Sequence, residues 1–311
     1  MQILPKLVVL LGPTASGKTA WGLKFAERFL GEIISADSRQ MYRKMDIGTA
    51  KEPGQWRGSG SDRAYSIQGV RHHLIDFLDP GKSFAVAEFR DAVFQTIPHI
   101  YDRGHVPFLV GGTGLYISSV VDNWEIPRVP PNKAMRKSLE EKSEKELSDL
   151  LQSIDPDAAL NIDPRNKRRV IRALEVSILG GELFSRQQKK GKKLFDALQI
   201  GIETPRDVLY DRIERRIDRM MERGLLRELE GLVRQKYDWA LPSMSGIGYK
   251  EFRPYLEGKS TLETCVEVFK RDTRHFARRQ LTWFRRDKTI QWCSTYKEAE
   301  KLVEEFLVTA E

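Results

Sequence analysis

Short apolar runs alternate with helical patterns along the first part of the chain. Residues 7–11, 32–36 and 108–110 are mostly apolar and are short, as buried strands are. Residues 19–29, between the first two runs, carry apolar positions at helical spacing. Strands that alternate with helices are typical of a parallel sheet joined by crossover helices. We therefore predict an α/β fold, with a further strand at residues 195–202.

The pattern changes after the proline-rich segment IPRVPP. From there to about residue 193 the sequence is charged and helix-forming, without the apolar runs of strands. Residues 166–179 carry apolar positions at helical spacing, which is typical of a core-facing helix, and a Gly-Gly stop signal follows. We predict a catalytic body formed by residues 1–123 and 194–311, with C-terminal helices, and a helical insertion domain at residues 124–193.

Two further segments depart from the alternation of strands and helices. Residues 53–69, PGQWRGSGSDRAYSIQG, are polar and glycine-rich, which predicts a mobile surface loop. Residues 262–286 predict a last long helix with a stripe of arginines along it.

The chain is basic, with a formal net charge of +8 over 311 residues, which favours an anionic partner. The first 123 residues contribute only +2, from 14 basic and 12 acidic side chains. Residues 161–195 hold ten basic and three acidic side chains, and residues 265–288 hold eight and three. These two segments are either solvated helix faces or surfaces that bind an anion.

Composition also excludes several classes of protein. Apolar residues make up 40% of the chain, but no apolar run approaches the roughly 20 residues of a membrane-spanning helix, and LVVLL is too short for a signal peptide. The only cysteines, Cys265 and Cys293, form no CxxC pair, and no histidines have the spacing of a zinc site. We expect a cytoplasmic monomer without membrane contact, a disulfide framework or zinc.

The segment GPTASGKT matches the phosphate-loop pattern GxxxxGK[ST] between a predicted strand and a predicted helix. Its glycines let backbone amides face an anion, and the helix N-terminus adds its dipole. In this pattern Lys18 contacts the terminal phosphates and the Thr19 hydroxyl holds Mg²⁺, the cofactor that we expect. The predicted phosphate-binding residues are Gly12, Pro13, Thr14, Ala15, Ser16, Gly17, Lys18 and Thr19.

The neighbouring segments differ from those of an ATPase. An ATPase needs an acidic residue at the end of a nearby core strand, whereas the strand at 108–110 is followed by Gly-Gly-Thr-Gly. These glycines indicate either close approach of the backbone to a ligand or a tight turn. The acidic residue that borders the ligand crevice is Asp37, at the end of EIISA, where it is either a catalytic group or a helix N-cap.

Five segments spread over the chain carry a family resemblance. They are ISADSRQMYRKMDIGTAK (34–51), FLVGGTGLY (108–116), RRVIRALEV (168–176), SMSGIGYKE (243–251) and RRQLTWFRR (278–286). Together they resemble the bacterial tRNA dimethylallyltransferases, which transfer an isopentenyl group from dimethylallyl diphosphate to the exocyclic amine of the adenine just 3′ of the anticodon. The resemblance implies this activity on a P-loop NTPase-like parallel sheet flanked by helices. It also implies that GPTASGKT binds the donor diphosphate and not ATP.

The resemblance implies roles for individual side chains in catalysis. Asp37 would be the general base that takes a proton from the adenine amine. Lys18, Thr19 and its Mg²⁺ would stabilise the leaving diphosphate. Arginines of LYDRIERRIDRMMERGL would stabilise the same charge, and Arg212 and Arg216 lie one helical turn apart within it. Exposed ion pairs with glutamate are the alternative for these two arginines.

The implied partner is the anticodon stem-loop of tRNA, whose target base must leave its stack to reach a channel in the protein. Tyr249 could equally be a core residue. The residues implied to contact RNA are Asp37, Ser38, Arg39, Gln40, Thr113, Asn166, Lys167, Arg168, Arg169, Tyr249, Lys250, Arg274, Arg278 and Arg279.

The sequence departs from the family pattern at one point and leaves two other hypotheses open. Glu52 separates Lys51 from the proline of the usual GTAKP, so contacts from the following loop are not carried over. A P-loop kinase that phosphorylates a small metabolite with ATP would use the same loop and arginines. An RNA-binding protein with a structural nucleotide would use them without turnover.

Overall fold

The computed structural model describes residues 4–60, 63–187 and 189–308. The chain divides into two compact units. One comprises the residues up to 117 and those from 194 onward, and the other comprises residues 118–193. The second unit begins a few residues before position 124, where we expected the insertion to start.

A single sheet forms the centre of the first unit. Its strands are β1 (Lys6–Leu11), β2 (Gly31–Ala36), β3 (Gln55–Arg57), β4 (Ala64–Ile67), β5 (Val70–His73), β6 (Val106–Gly111), β7 (Asp196–Ile202) and β8 (Gln291–Cys293). They lie in the order β3-β4-β5-β2-β6-β1-β7-β8. The six strands β5-β2-β6-β1-β7-β8, neighbours in this order, all pair in parallel. At one edge of the sheet, β3 pairs antiparallel with β4, and β4 with β5. The predicted parallel sheet is confirmed.

Helices flank this sheet and make up most of the second unit. In chain order they are α1 (Lys18–Arg28), α2 (Val86–Asp102), α3 (Gly114–Val121), α4 (Lys133–Glu140), α5 (Glu144–Ile154), α6 (Pro156–Asn161), α7 (Lys167–Leu179), α8 (Phe184–Gln187), α9 (Arg206–Glu222), α10 (Leu225–Arg234), α11 (Arg253–Leu256), α12 (Leu262–Phe284) and α13 (Tyr296–Val308). A 3₁₀ turn, Lys250–Phe252, precedes α11. Helix α12 confirms the predicted long helix. Among the described residues, no helix combines the length and apolar character that crossing a membrane requires.

The core of the first unit lies on the central strands. All apolar residues of β1 are fully buried, which explains why its sequence reads as an uninterrupted run, LVVLL, rather than an alternation. Phe25 of α1 stacks on Phe108 of β6, with ring centroids 6.1 Å apart, and on Tyr296 of α13 at 5.0 Å. Helices α1 and α13 therefore pack together over the sheet.

The second unit has a core of its own, built mainly from leucine and other aliphatic residues of α5 and α7. Asn166 caps α7 by accepting a hydrogen bond from the Arg169 amide, and Gly180 ends the helix, so the predicted helix is confirmed. Glu175 of α7 is fully buried and accepts hydrogen bonds from the guanidinium of Arg136 at 2.6 and 2.9 Å. Although burial opposes ionisation, these bonds hold the pKa of Glu175 below its usual value.

The predicted loop at residues 53–69 contains strands β3 and β4, so that prediction was wrong for much of the segment. Trp56 pairs with Tyr65 across the ladder, and their rings meet edge to face with centroids 5.7 Å apart. Ile67 is buried. The glycine content of the segment masked an alternation of aromatic and β-branched residues with polar ones. Residues 61 and 62 of this segment lie outside the described residues.

The carboxyl ends of β1, β2 and β6 lie side by side. Gly111 at the end of β6 is in register with both Leu11 of β1 and Ala36 of β2. A Cβ at Gly111 would be 2.2 Å from the carbonyl oxygen of Ala36, so only glycine fits there. This register brings the segments that follow the three strands to one edge of the sheet, among them the phosphate loop and Asp37.

Candidate functional site

The phosphate loop joins β1 to α1. Ala15 and Gly17 adopt left-handed backbone conformations, with φ of 63° and 97°. The Lys18 side chain folds back over the loop and donates a hydrogen bond to the Pro13 carbonyl at 3.0 Å. Helix α1 begins at Lys18 without a side-chain cap, so that its first turn leaves backbone amides for an anion.

Gln280 of α12 ties the phosphate loop to the turn after β6. Its Oε1 accepts a hydrogen bond from the Thr14 amide at 2.8 Å, and its Nε2 donates to the Gly112 carbonyl at 2.8 Å. The Thr14 amide therefore binds protein rather than an anion. Sequence reasoning missed Gln280, because a glutamine among the arginines of RRQLTWFRR gives no signal of this contact.

Two adjoining cavities open beside the phosphate loop, of about 460 and about 430 Å³. Lys18 and Thr19 line the first cavity, and Ser38 and Thr113 line the second. The residues that line both are Thr14, Asp37, Thr49, Arg216, Met220, Phe276 and Gln280. Asp37 therefore lines both the cavity beside Lys18 and Thr19 and a second, less polar one.

The two oxygens of the Asp37 carboxylate differ in their hydrogen bonds. Its Oδ1 accepts hydrogen bonds from the backbone amides of Arg39 at 2.8 Å and Gln40 at 3.3 Å, which closes a turn and does not cap a helix, since residues 38–41 are not helical. Its Oδ2 has no hydrogen-bond partner within the described part of the chain. One oxygen thus fixes the carboxylate, and whether the other accepts a proton stays a prediction.

The structure distinguishes the two arginines of α9. Arg216 lines both cavities, whereas Arg212, one turn earlier, is exposed and lines neither. The prediction that Arg212 binds the phosphate is therefore not supported, because its side chain lies on the solvent side of the helix. Arg219 and Arg223 also line the first cavity and were missed. Their spacing from Arg216, three and seven residues along a helix, was the signal that could have found them.

Among the described residues, neither Lys18 nor Arg216 of the first cavity forms a salt bridge, although Asp37 and Glu52 also line the cavity. Burial lowers the pKa of Lys18 to about 8; the Asp37 carboxylate opposes this shift and Arg216 adds to it. Burial likewise lowers the pKa of Arg216, against the effects of Asp37 and Glu52. A bound anion would favour the charged forms of both side chains, so the site is suited to a ligand with several negative charges.

Most residues of the predicted adenine-binding and RNA-binding turns lie around the cavities. Gln40 lines the first cavity, and its Nε2 donates to the carbonyls of Thr49 and Ala50 at 3.2 and 3.1 Å. The predicted RNA contacts that line the second cavity are Asp37, Ser38, Arg39, Thr113, Lys250 and Arg279.

Tyr249 does not have the predicted role in RNA contact. Its side chain is 1% exposed, and its hydroxyl donates to Glu228 Oε1 at 2.7 Å. A buried phenol with a carboxylate partner cannot reach RNA, so the alternative of a core residue is the one that the structure supports. Lys250, the next residue, is exposed beside the second cavity.

In the second unit, two of the predicted RNA contacts serve its own structure. The Asn166 side chain caps α7. The Lys167 Nζ donates to the carbonyls of Glu140 and Lys142 at 2.7 and 2.6 Å, which holds the end of α4 against the start of α7.

The remaining predicted RNA contacts are arginines of α7 and α12. Arg168, Arg169 and Arg278 are exposed. Arg274 forms an ion pair with Glu214 of α9. Contact of these residues with RNA stays a prediction.

A parallel sheet with a phosphate loop, a fixed carboxylate and two adjoining cavities defines an enzyme of the P-loop class, built for group transfer. The sequence model of the IPP transferase family matches residues 40–287. The chain belongs to the IPP transferase family, and the resemblance inferred from the sequence is confirmed.

Individual relatives agree with this family. A tRNA dimethylallyltransferase of Chloroflexus aggregans is 48% identical over 285 residues, covering 90% of this chain and 93% of the relative. The crystal structure of the full-length tRNA isopentenylpyrophosphate transferase from Bacillus halodurans has a TM-score of 0.70 and 40% identity, covering 97% of this chain and 96% of its own. A eukaryotic dimethylallyltransferase acting on tRNA has a TM-score of 0.80 and 27% identity, covering 99% and 80%.

The pKa of Lys18 predicts a pH dependence of anion binding. Because the charged amine binds diphosphate and the free protein loses that charge as pH rises through about 8, binding should weaken above pH 8. The ratio of the Lys18→Met dissociation constant for inorganic diphosphate to that of the wild type should fall by about tenfold per pH unit above pH 8. Calorimetric titrations at pH 7 to 10 measure it, and the comparison cancels the ionisation of the ligand itself. A constant ratio would contradict the assignment.

The two arginines of α9 provide a matched pair of variants. Arg216→Ala should weaken binding of inorganic diphosphate by about 10- to 100-fold, because it removes a charge-assisted hydrogen bond inside the cavity. Arg212→Ala should change the dissociation constant by less than about twofold, since its side chain is exposed. Equal effects of the two substitutions on calorimetric affinity would argue against the site.

Proposed function

We propose that the protein transfers the dimethylallyl group of dimethylallyl diphosphate to the N6 amine of the adenosine just 3′ of the anticodon of tRNA, and releases diphosphate. The observation that carries the proposal is the Asp37 carboxylate, which has an unpaired oxygen where the phosphate-loop cavity adjoins the second cavity. Family membership and the names of the relatives support this alkyl transfer and not the kinase hypothesis.

The donor lies in the first cavity. The loop amides, Lys18 and Arg216 bind its diphosphate, and they also stabilise the negative charge that builds on it as the carbon–oxygen bond breaks. Met220 and Phe276 give the boundary of the two cavities an apolar wall that suits the prenyl group.

Magnesium fits this site through the substrate rather than through a protein cage. Within the described residues, no three histidine, cysteine or acidic side chains are grouped to hold a metal ion. The Thr19 hydroxyl lines the cavity and would hold the ion together with diphosphate oxygens and water. Bound there, magnesium would neutralise charge on the leaving group.

The acceptor adenine, extruded from the anticodon loop, lies in the second cavity with its amine beside Asp37. The nitrogen lone pair forms a bond to C1 of the donor, and the C1–oxygen bond breaks with its electron pair going to diphosphate. The proton released from nitrogen passes to Asp37 Oδ2. Ser38, Arg39 and Thr113 surround the base, and Lys250 and Arg279 meet the RNA at the opening.

The exposed arginines of the second unit and of α12 bind the phosphates of the anticodon arm. Arg168 and Arg169 supply this contact from the insertion, and Arg278 from α12. We expect the protein to act as a monomer in the cytoplasm, where unmodified tRNA is available.

A direct assay tests the proposed activity. Purified protein is incubated with magnesium, labelled dimethylallyl diphosphate and either unmodified tRNA or AMP. Label should enter tRNA only, and digestion should yield N6-(dimethylallyl)adenosine. Label in AMP alone would refute the acceptor, and label transfer from γ-labelled ATP to a small metabolite would support a kinase instead.

The variant Asp37→Asn distinguishes the role of Asp37 as a proton acceptor from its role as a hydrogen-bond acceptor within the turn. Asparagine keeps an oxygen to accept the amides of Arg39 and Gln40 but cannot take a proton. We expect kcat to fall by about 10²- to 10⁴-fold, while affinity for inorganic diphosphate stays within about threefold of the wild type. Single-turnover kinetics and calorimetry measure the two quantities. A parallel loss of both would assign Asp37 to structure alone.

A further inference from the structure

We propose that Glu228 of α10 is a positioning residue for the transfer reaction, which fixes the loop of residues 46–51 between the two cavities. The proposal rests on the function proposed above and assigns a task to the segment SMSGIGYKE, whose tyrosine does not contact RNA. Glu228 itself lines neither cavity, so its effect on the reaction would pass through the loop.

The Glu228 carboxylate binds three successive backbone amides. Its Oε2 accepts from the amides of Asp46 at 2.8 Å and Ile47 at 2.7 Å, and its Oε1 accepts from the amide of Gly48 at 3.0 Å. No cationic side chain pairs with Glu228 among the described residues, so its charge is balanced by these amide dipoles. Such a carboxylate fixes backbone, whereas an ion pair would hold two side chains.

Tyr249 completes the anchor. Its hydroxyl donates to the same Oε1 at 2.7 Å, and burial together with the Glu228 charge raises the pKa of Tyr249 well above its usual value, so it remains a neutral donor. Its ring lies against the loop: a Cβ at Gly48 would be 2.4 Å from the ring, which explains the glycine of DIGTAK. Glu228 and Tyr249 thus both contact the loop at Gly48.

The anchored loop lines the cavities and is linked to Asp37 through Gln40. Thr49 lines both cavities. The carbonyls of Thr49 and Ala50 accept hydrogen bonds from the Gln40 side chain, and the Gln40 amide donates to Asp37 Oδ1. A shift of the loop would therefore move both the cavity wall and the turn that orients the Asp37 carboxylate.

The other end of the loop is fixed independently. Lys51 is buried, and its Nζ donates to the Tyr42 carbonyl at 2.6 Å and to the carboxylates of Asp46 and Asp76 at 2.6 and 2.7 Å. Loss of the Glu228 anchor should therefore loosen residues 46–48 without releasing the whole segment, so the variant should remain folded.

Hydrogen exchange tests the anchor without reference to activity. In Glu228→Gln an NH2 group replaces one carboxylate oxygen, so at least one amide of residues 46–48 loses its acceptor and exchange in this segment should accelerate by about tenfold or more. Glu230→Gln is the matched control, since Glu230 lies on the same helix, is exposed and has no hydrogen bond or ion pair within the described residues. Mass spectrometry of the full-length variants reads the exchange. Unchanged exchange in Glu228→Gln would overturn the proposal.

Activity then tests the positioning role. Glu228→Gln should lower kcat for transfer to tRNA by about tenfold or more, while the stoichiometry of inorganic diphosphate binding and Tm stay close to those of the wild type. Tyr249→Phe should lower kcat by a smaller factor. The double variant should lower kcat by less than the product of the two single factors, because both residues hold one loop.

The outcomes separate this proposal from the function on which it rests. If Glu228→Gln exchanged faster at residues 46–48 but kept the wild-type kcat, the positioning role would be overturned. If its kcat fell only in proportion to the number of diphosphate-binding sites, Glu228 would be a structural residue and not a positioning residue. A wild-type protein that transfers no label to tRNA would refute the proposed function, and the exchange measurement would still decide whether Glu228 anchors the loop.

Discussion

The site depends on the parallel register of three strands. Leu11, Ala36 and Gly111 end their strands side by side, and the absence of a Cβ at Gly111 allows the close approach to the Ala36 carbonyl. Because parallel strands end at the same edge, the phosphate loop and the Asp37 turn leave the sheet next to each other. Group transfer needs this proximity, since the leaving group and the base act on opposite sides of one reacting centre.

Electrostatics gives the two cavities different characters. Lys18, Arg216 and Arg219 concentrate positive charge around the first cavity, and burial makes the charges of Lys18 and Arg216 costly until an anion enters. The second cavity adds apolar walls from Ile213, Phe269 and other residues of α9 and α12. In the proposed function, the charged diphosphate and the uncharged nucleobase occupy these different spaces, and Asp37 lines both.

Distant parts of the chain fix this arrangement through hydrogen bonds to backbone. Gln280 joins the phosphate loop to the turn after β6, and Glu228 holds three amides of the loop that separates the cavities. Both residues act on backbone groups that local structure leaves unpaired, so each fixes a loop at little cost in side-chain flexibility elsewhere. The C-terminal helices are thus part of the site and not only of the scaffold.

The sequence alone determined the parallel α/β core, the phosphate-loop motif and the family, and it placed Asp37 at the end of a strand, because these depend on local patterns: apolar runs, glycine spacing and contiguous motifs. It missed the strands within residues 53–69, where glycine masked the alternation. Only the tertiary structure showed that Arg216, and not Arg212, lines the cavities and that Tyr249 is buried. Only the tertiary structure revealed the contacts of Gln280 and Glu228 with backbone groups near the cavities. Those roles arise from contacts between segments far apart along the chain, and no local pattern records which side of a helix will meet them.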